Sequence, residues 1–202
     1  MLRMRMKHLR VPAGTLLFAA VVACGGQDPT TARTSPAPSA SKPTATSTKG
    51  ASYELRRSDL PWNGTGDPYN AMVGLDDGRR VAMHHRRGKG LFEQHSGPQS
   101  DGWTRPRLIY GTKTEACQGI HLQAFGETVT VTADFGLYCS DGEPPMESIA
   151  AVSVGNLHTW DHHLTRGFDG WERVSAGDGG REITFRRGSS TLRWSRANGF
   201  SK

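Results

Sequence analysis

Four residues within six positions, His158, Asp161, His162 and His163, carry side chains that bind transition metals readily, and His84 and His85 form a second imidazole pair. Imidazole nitrogen and carboxylate oxygen together suit zinc or copper. The spacing limits what the set can do. Adjacent residues on a strand point to opposite faces, so each His-His pair supplies one ligand to a given site unless a loop after Leu157 relaxes the restriction. No His-Glu-x-x-His segment marks a catalytic metal, and surface histidines explain the pattern more simply. His158, Asp161 and His162 therefore stand as the candidate ligands of a metal-binding accessory protein, with no resident metal or other cofactor expected.

Other chemistry has thinner support. Acid–base catalysis by carboxylates needs a pair that is buried and held apart. Asp76-Asp77 falls instead at an expected hairpin tip, where Asp is favoured for backbone reasons. A Gly-x-Ser-x-Gly elbow is absent. Trp62, Trp103, Trp160, Trp171 and Trp194 offer rings to sugars or peptide side chains, and Trp103 and Trp171 are the candidates for ligand contact. Core packing competes for them, because large aromatics dominate burial in small β domains. No catalytic residue is assigned.

Cys24 ends an apolar run, Thr15 to Ala23, that follows a leader carrying Arg3, Arg5, Lys7 and Arg10 and no acid. The run is too short to cross roughly 30 Å of hydrocarbon as a helix and reads as a cleavable signal. Val21-Val22-Ala23-Cys24 resembles the lipobox of bacterial lipoproteins. That resemblance implies removal of residues 1–23, diacylation of the Cys24 thiol, and a protein held by its N-terminal lipid on the extracytoplasmic face of the cell membrane. Cys117 and Cys139 are then the remaining thiols of an exported chain and are expected to form a structural disulfide. If Gly126-Glu127 tips a hairpin, Ala124 faces Val129 and Cys117 lies near the partner of residue 136. A bulge or loop over residues 135–138 brings Cys139 within the roughly 4.4–6.8 Å between Cα atoms that a disulfide needs.

The formal charge of +6 suggests an acidic partner such as nucleic acid. Its distribution says otherwise. Four of the 25 basic residues precede Cys24 and three more, Arg33, Lys42 and Lys49, lie in the following linker, so from Ala51 onward 18 basic residues face 18 acidic ones. The excess belongs to targeting. Arg79, Arg80, Arg86 and Arg87 form a local cluster that reads as a solvated strand face, and no nucleic-acid partner is expected.

Residues 24–51 hold Gly, Ser, Thr, Pro and Ala with no aromatic or branched aliphatic residue from Gly25 to Gly50. Such a stretch buries too little apolar area to offset its ordering entropy and is expected to be a flexible tether. Residues 52–202, about 150, suit one domain. Their pattern is β. Thr128 to Phe135 alternates, placing Val129, Val131, Ala133 and Phe135 on one face and Thr128, Thr130, Thr132 and Asp134 on the other, which predicts a half-buried strand. The period recurs at Val81, Met83 and His85, at Ala150, Val152 and Val154, and at Ile183 and Phe185. Turn residues at Asp77-Gly78, Gly88 to Gly90, Gly126-Glu127, Gly155-Asn156 and Gly188-Ser189 separate the runs. The expected fold is all-β, an antiparallel meander.

Asp101-Gly102-Trp103-Thr104-Arg105 is echoed by Asp169-Gly170-Trp171-Glu172-Arg173. In the first unit, 71–75, 79–85, 90–95 and 103–110 make four short strands over about 40 residues, the size of a propeller blade. Ser100-Asp101-Gly102-Trp103 resembles a compressed Asp-box of the sialidase-type propellers. The likeness implies a small or irregular β-propeller-like domain, with a β-sandwich of the same hairpins as the alternative. In that family the box is a structural turn, and the Tyr, Glu, Asp and three Arg of a sialidase site are not recognisable here. The expected role is non-catalytic binding of a cell-surface glycan or protein, or a structural task, at the bacterial envelope. A glycan-directed hydrolase of the sialidase-like type is the first alternative and the metal-binding protein the second.

Overall fold

No segment of the domain carries apolar residues at sustained helical spacing, and its elements are accordingly strands. The computed structural model describes residues 52–137 and 142–201, which belong to one compact unit, Thr48–Lys202. The segment that resembles a lipobox, Cys24, the expected tether of residues 24–51, and Cys139 lie outside the described residues. Among the described residues there are twelve strands in three antiparallel sheets and no α-helix. The first sheet comprises β1 (Asn70–Gly74), β2 (Arg80–Arg86), β3 (Gly90–Ser96) and β4 (Arg107–Gly111). The second comprises β5 (His121–Phe125), β6 (Thr128–Phe135), β7 (Glu147–Val154) and β8 (Asp161–Arg166). The third comprises β9 (Arg173–Gly177), β10 (Glu182–Arg187), β11 (Ser190–Ser195) and β12 (Gly199–Ser201). In each sheet, spatial neighbours are sequence neighbours, so the meander expected from the turn residues is present. The five turns named above fall between paired strands, and Ala124 faces Val129 as the hairpin reading requires.

Alternation then dictates layering. Met83, Leu91 and Tyr110 of the first sheet pack with Val131, Ala133, Phe135, Ile149 and Ala151 of the second. The residues between them in sequence, Ala150 and Val152, turn the other way and pack with Ile183, Phe185, Leu192 and Trp194 of the third. The second sheet is therefore a middle layer with a core on each side. Fully burying one such aliphatic or aromatic side chain contributes about 1.5–3 kcal/mol. This corrects the expectation for β6: all eight of its residues are buried, not half of them. The Thr face is covered because the third sheet lies over it. Thr128 is 2% exposed, and its hydroxyl donates to the carbonyl of Gly180 at 2.9 Å, which satisfies a group that burial would otherwise penalise.

The Asp-Gly-Trp echo is not a structural repeat. The first copy lies between β3 and β4, where Trp103 bridges Ser96 and Tyr53; the second lies between β8 and β9, in the passage from the second sheet to the third. Both tryptophans are interior, each 7% exposed. The arginine cluster is partnered residue by residue. Arg79 meets Asp77 and the carbonyl of Gly155, and Arg80 lies over the Trp103 ring at 5.0 Å. Arg86 and Arg87 meet Asp59 and Glu115. Cys117 follows the bridge Ala116–Phe135, and its N–H donates to the carbonyl of Asp134. It thus lies two residues away from the partner that straight extension of the β5–β6 register would give it.

Candidate functional site

The three residues expected to hold a metal are held apart. His158 stands in the β7–β8 connection, while Asp161 and His162 are neighbours on β8 and so face opposite sides of the second sheet. Asp161 accepts a hydrogen bond from Trp194 Nε1 at 2.9 Å, toward the third sheet. His162 lies edge-on to Tyr110 of the first sheet, with ring centroids 5.8 Å apart. Among the described residues, no three His, Cys, Asp or Glu side chains converge on a common point.

His158 instead approaches His95, with ring centroids 5.8 Å apart. His95 belongs to a polar cluster that sequence reading did not reveal. Alternation puts Glu93 and His95 of β3 on the face toward the second sheet, where Glu93 is 1% exposed. Its two carboxylate oxygens are both engaged, one with His95 Nδ1 at 2.7 Å and the other with Arg107 Nη2 at 3.2 Å. The guanidinium also donates to the carbonyls of Leu157 and His158 in the β7–β8 connection. The carboxylate fixes the Nδ1–H tautomer of His95, and the arginine ties the first sheet to the second. Both oxygens of Glu93 are committed, and the cluster is built as a clamp between strands.

A second constellation lies between β8 and β11. His163 and Thr165 of β8, Phe168 and Trp171 of the β8–β9 connection, and Ser190, Thr191 and Leu192 of β11 line a cleft of about 240 Å³. Its size is below the roughly 300–1,000 Å³ of common small-molecule sites, which limits an occupant to about one ring. The Phe168 and Trp171 rings meet at 4.5 Å, and His163 packs against Phe200 at 5.7 Å. Two polar atoms of these lining residues, Trp171 Nε1 and Thr165 Oγ1, are buried and have no hydrogen-bond partner among the described residues. An unsatisfied buried group of this kind costs about 1–3 kcal/mol, which a bound acceptor or donor recovers.

Behind this cleft stands Asp134. It is 5% exposed, and burial pushes its carboxyl up to about 6, with Asp169 adding to the shift and the Ser148 hydroxyl, His121 and Arg187 opposing it. Gly170 is what allows this packing. Its φ is +82°, and a Cβ there would lie 2.7 Å from Asp134 Oδ2, so both conformation and space call for glycine. Asp169 pairs with Arg187 at the surface.

No family model, curated protein or solved structure matches this chain. The sequence named Trp171, and the structure gives that residue neighbours which sequence reading did not supply. Phe168 and Thr165 were hidden because nothing local marks them; only the return of β11 beside β8 makes a wall. The strand alternation of β3 was the available signal for Glu93, since it puts a carboxylate on a face whose other members are Leu91 and Phe135-facing residues of the core.

Proposed function

We propose that this is a lipid-anchored protein of the extracytoplasmic face of the bacterial membrane, whose β domain is a non-catalytic binding module taking one sugar ring of a cell-surface glycan in the Phe168–Trp171 cleft. The observation that carries the reading is a cleft lined by two aromatic rings and by two residues, Thr165 and Trp171, whose buried polar atoms have no partner among the described residues. Sugars match that combination, with C–H faces for rings and hydroxyls for unpaired donors and acceptors. Three consecutive four-stranded meanders in three layers favour a small, open propeller-like arrangement over a two-layer sandwich.

Titration of the full-length protein with hexoses, N-acetylhexosamines and uronic acids, followed by tryptophan fluorescence, is expected to give saturable binding for at least one class. Trp171→Phe keeps the aromatic contact and removes the N–H, so its affinity is expected to fall about tenfold. Binding by the variant equal to that of the parent, or no saturable change with any sugar, would remove this reading.

The anchoring half of the proposal is tested by intact mass. The lipobox implies a mature chain that starts at Cys24 with a diacylglycerol on its thiol, and the proposed Cys117–Cys139 bridge implies the mass deficit of one disulfide in unreduced material. Closing a loop of this size contributes about 2–4 kcal/mol. An unmodified Cys24 in material from a bacterial membrane, or two free thiols, would each overturn its own clause.

The hydrolase alternative has one observation in its favour: a buried carboxyl, Asp134, is raised to about 6 behind an aromatic cleft and lies within electrostatic range of Asp169. That is the kind of perturbation a general acid needs. Gly170 packs against the carboxyl, however, and Asp134 is only 5% exposed, so the binding reading is preferred.

A further inference from the structure

The outer face of the third sheet carries three arginines that, among the described residues, form no ion pair, with Glu182 as the one carboxylate in its rows. Registers set its rows. Arg173, Arg186 and Thr191 lie side by side across β9, β10 and β11; the next row is Ser175, Thr184, Arg193 and Ser201, and the third is Gly177, Glu182, Ser195 and Gly199. The side chains between them, Val174, Ile183, Phe185, Leu192 and Trp194, turn inward to the core. The outer face is thus polar throughout, and all three arginines are exposed.

Arg173 and Arg186 are direct cross-strand partners. Like charges placed opposite each other destabilise a sheet, so this pair is a cost to the fold. Elsewhere in the second and third sheets the protein avoids such costs: Arg166, Arg181, Arg187 and Arg196 each have a carboxylate, from Glu147, Asp178, Asp169 and Glu127 respectively. Among the described residues, Arg173, Arg186 and Arg193 have none. Arg173, Arg186 and Ser175, together with Gln123, Glu172 and Val174, line a shallow depression of about 400 Å³, in which two guanidinium groups outnumber one carboxylate.

We infer that this face binds a linear phosphodiester polymer of sugar or polyol units. The argument is charge complementarity and shape. Arg173 and Arg186 are cross-strand partners, whose Cβ atoms stand about 5 Å apart, and Arg193 lies one diagonal further on, so the three long side chains can meet successive anions of one chain. Phosphate suits two forks better than a carboxylate does, because its tetrahedral oxygens accept from several directions while a carboxylate presents one plane. The face has no apolar wedge for a bilayer and no aromatic ring for a nucleobase. It lacks the apolar centre of a protein interface as well. This surface is separate from the sugar cleft, and the inference does not rest on that reading.

The test uses the full-length protein in neutral detergent and poly(glycerol phosphate) as the probe, at about 50 mM and about 200 mM salt. Binding by the parent is expected to weaken steeply with salt. The triple variant R173Q/R186Q/R193Q is expected to lose about tenfold or more in affinity, with a flatter salt dependence, because three counterion-releasing contacts are gone. R181Q/R187Q/R196Q removes the same formal charge from arginines already matched by carboxylates and is expected to stay within about threefold of the parent. The basic residues of the leader and linker are common to all these chains. Failure of the parent to bind at the lower salt, or equal weakening of both triple variants, would overturn the inference. So would tighter binding to polygalacturonate, duplex DNA or phosphatidylglycerol vesicles than to the phosphate polymer.

Discussion

Arg107→Ala is expected to cost the fold about 3–5 kcal/mol, a large share of the stability of a domain this size. The loss comes less from the missing ion pair than from what it leaves behind. Glu93 is 1% exposed and would retain only its contact with His95, so a carboxylate would sit in the interior with one oxygen bare. The carbonyls of Leu157 and His158 would lose their donor in the same step, loosening the first sheet from the β7–β8 connection. A double replacement, Glu93→Leu with Arg107→Met, removes both charges and is expected to recover most of the loss, since well-packed apolar pairs often equal or exceed buried ion pairs. Guanidinium unfolding of the two variants beside the parent decides it. A midpoint for Arg107→Ala within about 1 kcal/mol of the parent would show that Glu93 is not dependent on its arginine.

Acidification is expected to weaken the domain progressively between about pH 6.5 and 4, and the agents are His84 and His85. Each is 1% exposed, neither ring nitrogen of either residue has a hydrogen-bond partner among the described residues, and each lies against an aromatic ring, Phe92 for His84 and Phe135 for His85. Burial pushes both down to about 4; Arg86 adds to the shift of His84, while Asp59 opposes the shift of both. In the unfolded chain both imidazoles take up protons near pH 6.5. The unfolded state therefore binds more protons between about pH 6.5 and 4, and stability falls through that window as pH is lowered, by about 3 kcal/mol per imidazole. Asp134 acts in the opposite sense. Its carboxyl is raised to about 6, so its contribution is lost as pH rises from the ordinary value toward 6, and it offsets part of the acid loss. Two histidines outweigh one aspartate, leaving a net loss of about 4 kcal/mol on going from neutral pH to about 4. Denaturant midpoints at about pH 7.5 and about pH 4.5 give the sign directly. In His84→Leu/His85→Leu the acid loss should vanish and a weak opposite slope from Asp134 should remain. An unchanged acid loss in that variant would assign it to other groups.

Strand positions were legible because two local signals agree in this chain: alternation marks the strands and Gly- or Asn-containing turns mark their ends. The Ala124–Val129 pairing followed from one turn alone. Coverage was not legible. Nothing in Thr128, Thr130 and Thr132 announces that a second sheet will bury them, since hydroxyls satisfy themselves locally and tolerate either setting. His84 and His85 present a second imidazole pair to sequence reading, with surface histidines the simpler explanation; the structure corrects this by burying both as core rings. The clamp was invisible for another reason. Glu93 and Arg107 lie on adjacent strands with a long connection between them, and their shared target, the 157–158 carbonyls, comes from another sheet. The Asp-Gly-Trp echo misled because a tight turn carrying a large ring solves the same local problem at two places that are not equivalent in the fold.

The double coverage of β6 also sets how this protein is able to diverge. A surface strand has every second position free to drift, but β6 has no such position: an enlarged side chain at Val131 presses on the first sheet, and one at Thr130 presses on the third. Change there has to be matched by change in one partner layer or the other. The third sheet, whose outer face carries Arg173, Arg186 and Arg193 exposed, is where new surface chemistry can arise without renegotiating the interior, whereas the first sheet is covered on both faces, as buried His84 and Gln94 show.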